Sequence, residues 1–315
     1  MKSIFPLLLL FLVIGCKTTK NNSKSITITS NQVKDIVSYL ASDDLKGRDT
    51  GSEGIEMSAK FIEGKFKNYG LRPYFDSYRD NFKVDSLDAF NIVGFLEGND
   101  AMLKDEVIII GAHYDHIGYR AKIVENDSIG NGANDNASGT AAVITMANYF
   151  SEKKNNKRSL MFVLFSAEEK GLLGSKHLAK KLKSESINLY TMVNFEMVGV
   201  PLIDRDYIAF VSGYEMSNMA DKINEYTKTN LIGFSEIAKK YNLFKASDNY
   251  PFYQHFKLPC QSISSCDLSN FDYYHHVDDE AEKMDYEHMA SLINKLIPAI
   301  EAMSNTSTKE IKMHE

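Results

Sequence analysis

Three apolar runs in this 315-residue chain end in acids or imidazoles, and that pairing limits the fold more than any other feature. "LMFVLFSAEEKGLLGS", residues 160 to 175, sets six apolar residues shortly before the adjacent Glu168 and Glu169. "VIIIGAHYDH" ends in His113 and Asp115, and "TMVNFEM" carries Glu196. Runs this continuously apolar belong to a sheet covered on both faces, since a solvated face would impose alternation. Helical patterns stand between them, so the expected class is α/β: a three-layer α/β/α sandwich around a mostly parallel, mixed central sheet. Ligands of open α/β sheets gather in the crevice at the carboxyl ends of the strands. Each run delivers its polar residues to that edge.

Further strand-like runs are "FNIVGFLEG", "YIAFVSG" and "LPCQSISS". Ser52 precedes a predicted helix with Ile55, Ala59, Ile62, Phe66 and Tyr69 on one face, stopped at Gly70. "SGTAAVITMANYF", "GLLGSKHLAKKL" and "DYEHMASLINKLIPAIEAM" also have helical spacing. A hydrophobic content of 43% suits one large domain. The net charge of −6 is made of interspersed residues of both signs, which gives no electrostatic case for nucleic acid.

The N-terminus "MKSIFPLLLLFLVIGCK" pairs a lysine with an apolar run too short to span a bilayer. It predicts a cleaved export signal over residues 1–15. "VIGC" resembles a bacterial lipobox, which implies a lipidated Cys16 and a flexible tether over 16–30. A single catalytic domain over 31–305 and a polar tail over 306–315 complete the expected organisation. Outside the cytoplasm, Cys260 and Cys266 become a disulfide candidate, with two buried free thiols as the alternative.

Carboxylates and histidines converging on one edge require a cation between them. Histidine and carboxylate without thiolate suit zinc in a catalytic role. "GAHYDHIG", "NGANDNASG", "FSAEEKGLLGS", "NFEMVG" and "YHHVDDEAEKMD" resemble, in order and spacing, the co-catalytic di-zinc aminopeptidases of peptidase family M28, and "YLASDDLKGRDTGSEG" resembles that family's N-terminal helix and loop. The resemblance implies a zinc-exopeptidase fold, two Zn2+ ions and peptide substrates. By the same resemblance His113 and Glu196 hold the first ion, Glu169 and His275 the second, and Asp135 bridges both. Asp115 buttresses His113, and Glu168 is the general base that takes a proton from the attacking water and passes it to the leaving amine.

Two departures stand out. Glu196 occupies a position where the family usually has Asp, and His276 follows His275 as a second candidate. His116 and His255 read as surface or loop histidines. Asp248 reads equally as a residue beside the substrate cleft and as a plain helix cap; Asp278 and Asp279 read as caps of the next helical segment. The stretch between "GLRPYFDSYRD" and "FNIVGFLEG" is too short for a protease-associated insert. The expectation is an aminopeptidase of the bacterial cell envelope, touching the membrane only through its lipid anchor and monomeric by default. Two alternatives share this fold: a glutaminyl cyclase-like acyltransferase, whose pocket tryptophans this chain lacks entirely, and a catalytically silent binding module.

Overall fold

The computed structural model describes residues 26–315; the export segment, Cys16 and most of the tether lie outside them. The strands are β1 (Arg72–Pro73), β2 (Arg79–Val84), β3 (Leu87–Leu96), β4 (Val107–His113), β5 (Gly118–Val124), β6 (Asp127–Gly130), β7 (Ser159–Phe165), β8 (Leu189–Phe195), β9 (Ala209–Val211), β10 (Ile232–Gly233) and β11 (Cys260–Ser264). The helices are α1 (Ser30–Leu40), α2 (Glu53–Asn68), α3 (Gly139–Lys153), α4 (Leu173–Ser184), α5 (Met219–Thr227), α6 (Glu236–Lys240), α7 (Asn249–Phe256) and α8 (Tyr286–Asn305). The central sheet runs β1-β3-β7-β4-β8-β11-β9-β10, with β2 paired to β3. Its middle strands β7, β4, β8 and β11 are mutually parallel, while β3 and β9 flank them antiparallel. Four carboxyl ends therefore open on the same edge.

Side-chain alternation along each middle strand splits the core into two layers. On β4, Ile108, Ile110 and Ala112 pack with α3, α1 and α8, whereas Val107 and Ile109 pack with Leu178 and Leu182 of α4 and Phe252 of α7. On β7, Leu160, Phe162 and Leu164 face the first layer and Met161, Val163 and Phe165 the second. This is the three-layer sandwich expected from the unbroken apolar runs.

The helix boundaries follow local chemistry. Ser52 caps α2 by accepting the Ile55 amide at 3.2 Å, with Glu53 and Glu56 in the first turn and Lys65 and Lys67 in the last, matching the helix dipole. Asp285 caps α8 through the His288 amide at 2.9 Å. Missed by the sequence reading were the polar β2 and the β5–β6 hairpin, whose residues carry no apolar run.

Three expectations are corrected. Cys260 and Cys266 are both free and buried, not bonded. Cys260 packs in the layer under α4 and α7 while Cys266 packs in the opposite one, so the sheet itself separates them. The folded unit also exceeds residues 31–305 at both ends. Ile28 is buried and its amide donates to Asn294 Oδ1 at 3.0 Å. The supposed polar tail docks too: Ile311 is buried, its amide donates to Tyr190 Oη at 2.9 Å, and Met313 bridges Ser217.

A candidate metal centre at the sheet edge

His113 is the last residue of β4, and its ring is fully buried beneath the edge. Its Nε2 lies 3.2 Å from Asp135 Oδ1 and 3.4 Å from Glu196 Oε1, the first residue beyond β8. Its Nδ1 faces the Asp115 backbone carbonyl at 3.1 Å, nearer than the Asp115 carboxylate at 3.7 Å. The ring is therefore oriented chiefly by main chain. The Asp115 carboxylate turns instead to the next strand, accepting the amides of Glu168 at 3.2 Å and Glu169 at 3.4 Å. One side chain thus ties the end of β4 to the paired glutamates after β7.

The turn 133–138 that carries Asp135 leads directly into α3. Asn136 locks it to β8, accepting the amides of Gly139 and Met197 and donating to the Phe195 carbonyl. Gly139 is required there, because a Cβ would stand 2.4 Å from Asn136 Oδ1 and 2.6 Å from the Phe195 oxygen. Beneath the turn, buried Arg48 donates to the carbonyls of Leu40, Tyr114, Asn131 and Gly132, clamping the loops after β4 and β6 together.

Asp135 faces both ways. Its Oδ1 meets His113, and its Oδ2 lies 3.2 Å from His275 Nε2. Glu169 accepts from two imidazoles, Oε1 at 2.9 Å from His116 Nδ1 and Oε2 at 3.1 Å from His275 Nε2. The structure thus gathers His113, Asp135, Glu169, Glu196 and His275 into one cradle, with Glu168 and Asp115 against it. It does not include His276, whose Nδ1 lies 3.3 Å from Asp278 Oδ2, or His255, exposed on α7.

Other readings are overturned. His116 is not a surface residue: its ring is fully buried and Nδ1 points into the cradle. Asp279 caps no helix; its two oxygens accept the amides of Asn134 and Asp135 at 2.7 and 3.0 Å. Nor does Asp278 cap one, since Glu280 and Asp285 head the following helical segments. Asp248 heads α7 without a capping bond, and both its oxygens are buried without a hydrogen-bond partner among the described residues. The second histidine of "HYDH", three residues after the first, was the one available signal for His116.

The electrostatics follow from crowding. Burial would raise the Asp135 carboxyl, but hydrogen bonds from His113 and His275 hold it well below the usual carboxylate range. Burial pulls His275 down, but Asp135 and Glu169 outweigh it and lift the ring to about 10. Glu168 goes the other way: burial, reinforced by Asp248, Glu196 and Glu169 and opposed by His113, pushes it well above the carboxylate range. Burial likewise raises Asp248 to about 7. Acids so packed need positive charge, from protons on the imidazoles or from a divalent cation.

Two donor groups meet the requirements for such a cation: His113, Asp135 and Glu196, and His116, Asp135 and Glu169, each with its ligand atoms within 4.8 Å of one another. Imidazole nitrogens and carboxylate oxygens without thiolate fit zinc. Alongside lies a cleft of about 580 Å³, part of it open to solvent, whose walls include Glu168, Glu196, Phe210, Leu243, Leu268 and Tyr274.

Known proteins resemble this chain in sequence or in fold. A probable zinc metalloprotease of Pyrenophora tritici-repentis is 36% identical over 161 residues, covering 48% of this chain and 35% of that protein. The chain spans about a third of the length of such curated relatives. Among solved structures, a zinc aminopeptidase from Bacillus subtilis superposes with a TM-score of 0.71 at 14% identity, covering 93% of this chain and 99% of the other. A glutaminyl cyclase from Porphyromonas gingivalis superposes with a TM-score of 0.68 at 13% identity, covering 88% and 99%. At such identities these two likenesses establish the fold alone. The family model for peptidase family M28 matches residues 91–299, which takes in every donor of the cradle, and the chain accordingly belongs to peptidase family M28.

Proposed function

We propose that the chain is a zinc-dependent aminopeptidase, hydrolysing N-terminal residues from peptides. The observation that carries this reading is the divergence of two adjacent acids. Glu169 turns to His116 and His275, while Glu168 lines the cleft. A donor and a proton carrier thereby sit side by side.

His113, Asp135 and Glu196 would hold one zinc ion, and Asp135, Glu169 and His275 a second. Bound there, the ions would supply Lewis-acid polarisation of the scissile carbonyl and ease deprotonation of water. The chain's own residues do the rest. Glu168 accepts a proton at its carboxylate from the attacking water and returns it to the leaving amine, and burial, which raises its pKa, strengthens it as a base. The apolar part of the cleft wall, with Phe210, Leu243 and Leu268, offers a seat for a side chain.

Direction of cleavage is supported by charge. A carboxypeptidase needs a cation for the terminal carboxylate, yet among the described residues those lining the cleft include acids and no lysine or arginine. A protonated α-amine is the better match. The test is metal analysis of the purified chain, followed by hydrolysis of aminoacyl p-nitroanilides with and without chelator. Zinc-dependent release of the anilide is expected. A zinc-free, inert protein would overturn the reading, and cyclisation of N-terminal glutaminyl peptides without anilide release would favour the acyltransferase.

We also propose export and lipid attachment at Cys16, supported by the apolar run that ends at that cysteine. Fatty-acid labelling that persists in Cys16→Ala would remove the anchor from the account.

A further inference from the structure

The two halves of the cradle are unequal. At the first, three side chains meet: His113, Asp135 and Glu196. At the second there are four. Glu169 lies between His116 Nδ1 at 2.9 Å and His275 Nε2 at 3.1 Å, and Asp135 Oδ2 is 3.2 Å from His275 Nε2 and 3.9 Å from His116 Nδ1. Donors about 2.0–2.2 Å from a tetrahedral zinc stand roughly 3.3–3.6 Å apart, and the separations here, from 2.9 to 3.9 Å, bracket that spacing.

His116 is also built into place. Its amide donates to the Arg48 carbonyl, and its ring lies so close to Gly132 that a Cβ there would be 2.5 Å from the ring's Cγ. Gly132 holds a left-handed backbone with φ near +58°, so glycine suits both the conformation and the contact. The ring's Nε2 is buried without a partner among the described residues, leaving Nδ1 as the nitrogen the fold has aimed at something.

We propose that His116 Nδ1 is a fourth protein donor to the second zinc, so that this position is closed by the chain while the first retains an open one. Structural zinc sites are closed and catalytic sites keep a free position. The pair is then divided: the second ion is held firmly and organises Asp135 and Glu169, and the substrate reacts at the first. The inference rests on the metallopeptidase reading and deepens it.

The competing role is a hydrogen-bond donor that merely orients Glu169. Losing such a partner also weakens a metal site, by about 10–100-fold, so affinity alone does not separate the two. His116→Asn does, because its amide places a donor near the Nδ1 position but ligates zinc poorly. The full chain is stripped of zinc and titrated with Co2+, one equivalent at a time, reading metal content and visible absorption. In the wild type we expect a tightly held equivalent with the intense absorption of four-coordinate Co2+. Both His116→Asn and His116→Ala should lose that band and at least about tenfold in affinity for that equivalent, with added imidazole restoring the band in His116→Ala. An unchanged band in His116→Asn overturns the proposal and leaves an orienting donor. If the wild type binds no metal, the metallopeptidase reading fails first.

Discussion

Asp279 holds the main chain of Asp135 from below, its Oδ2 accepting the Asp135 amide at 3.0 Å while Oδ1 takes the neighbouring Asn134 amide at 2.7 Å. The Asp135 carboxylate, which meets both His113 and His275, is thus aimed by a second buried acid. Asp279→Asn replaces one acceptor by an NH2 group facing an amide N–H. We expect a loss of about 1–3 kcal/mol in denaturant unfolding, together with reduced zinc retention. A variant with wild-type midpoint and zinc content would show that the turn holds its own shape.

Glu168→Gln separates the proton carrier from the donors. The amide is isosteric and Glu169 remains facing its two imidazoles. Zinc content and KM should stay near wild type while kcat falls by about 10²–10⁴-fold. Activity within a few-fold of wild type would exclude Glu168 as the base.

How much of this was legible in the sequence depends on the range of the interaction. The strand-end donors were readable because an unbroken apolar run and the polar residue that follows it are adjacent, and parallel strands bring such ends to one edge. The α2 boundaries were readable for the same reason, resting on Ser52 and a local face of apolar residues. His116 was not, since its burial depends on Gly132 and Arg48, remote in the chain. Asp279 resembled a cap because nothing in "VDDEAEK" reveals amides 144 and 145 residues away. The six-residue spacing of the cysteines was silent on which face of the sheet each occupies.

That last point has a direct check. Cys260 and Cys266 lie in separate core layers, and burial pushes both thiols up, Cys266 to about 12. Reductant should leave the Tm unchanged, and iodoacetamide should modify the pair only after denaturation, read by peptide mass. A Tm lowered by reductant would restore the disulfide.

The support beneath the glutamate loop predicts a pH dependence. Asp80 is buried, with Lys181 Nζ at 2.8 Å, His177 Nε2 at 3.3 Å and Asn91 Nδ2 at 3.0 Å; Asn91 in turn accepts the Ser166 amide ahead of Glu168. Burial raises the Asp80 carboxyl, but the bonds from His177, Lys181 and Asn91 outweigh it and hold the pKa below the ordinary value. A depressed carboxylate contributes stability that is present above its unfolded pKa, about 3.9, and lost as pH falls through the folded one. Asp80→Asn should therefore cost about 1–3 kcal/mol at pH 7 and progressively less below about pH 4. Urea unfolding at several pH values measures this, and a gap constant with pH would place the effect in packing rather than charge.

Glu196 raises a final question of reach, being one methylene longer than the Asp usual at its position. Its Oε2 accepts from Ser247 Oγ at 2.6 Å, and Ser247 is held in turn by Asn194 Nδ2 at 3.0 Å. The extra length is thus taken up by a hydroxyl on the segment leading into α7, which leaves Oε1 facing His113. Ser247→Ala frees the carboxylate to rotate away, so zinc at the first position should bind about tenfold more weakly, with kcat/KM falling in step and the ion at the second position unaffected. Ser247→Thr, which keeps the hydroxyl, should stay closer to wild type. Equal metal affinity in all three proteins would mean that His113 and the backbone after β8 suffice to aim Glu196.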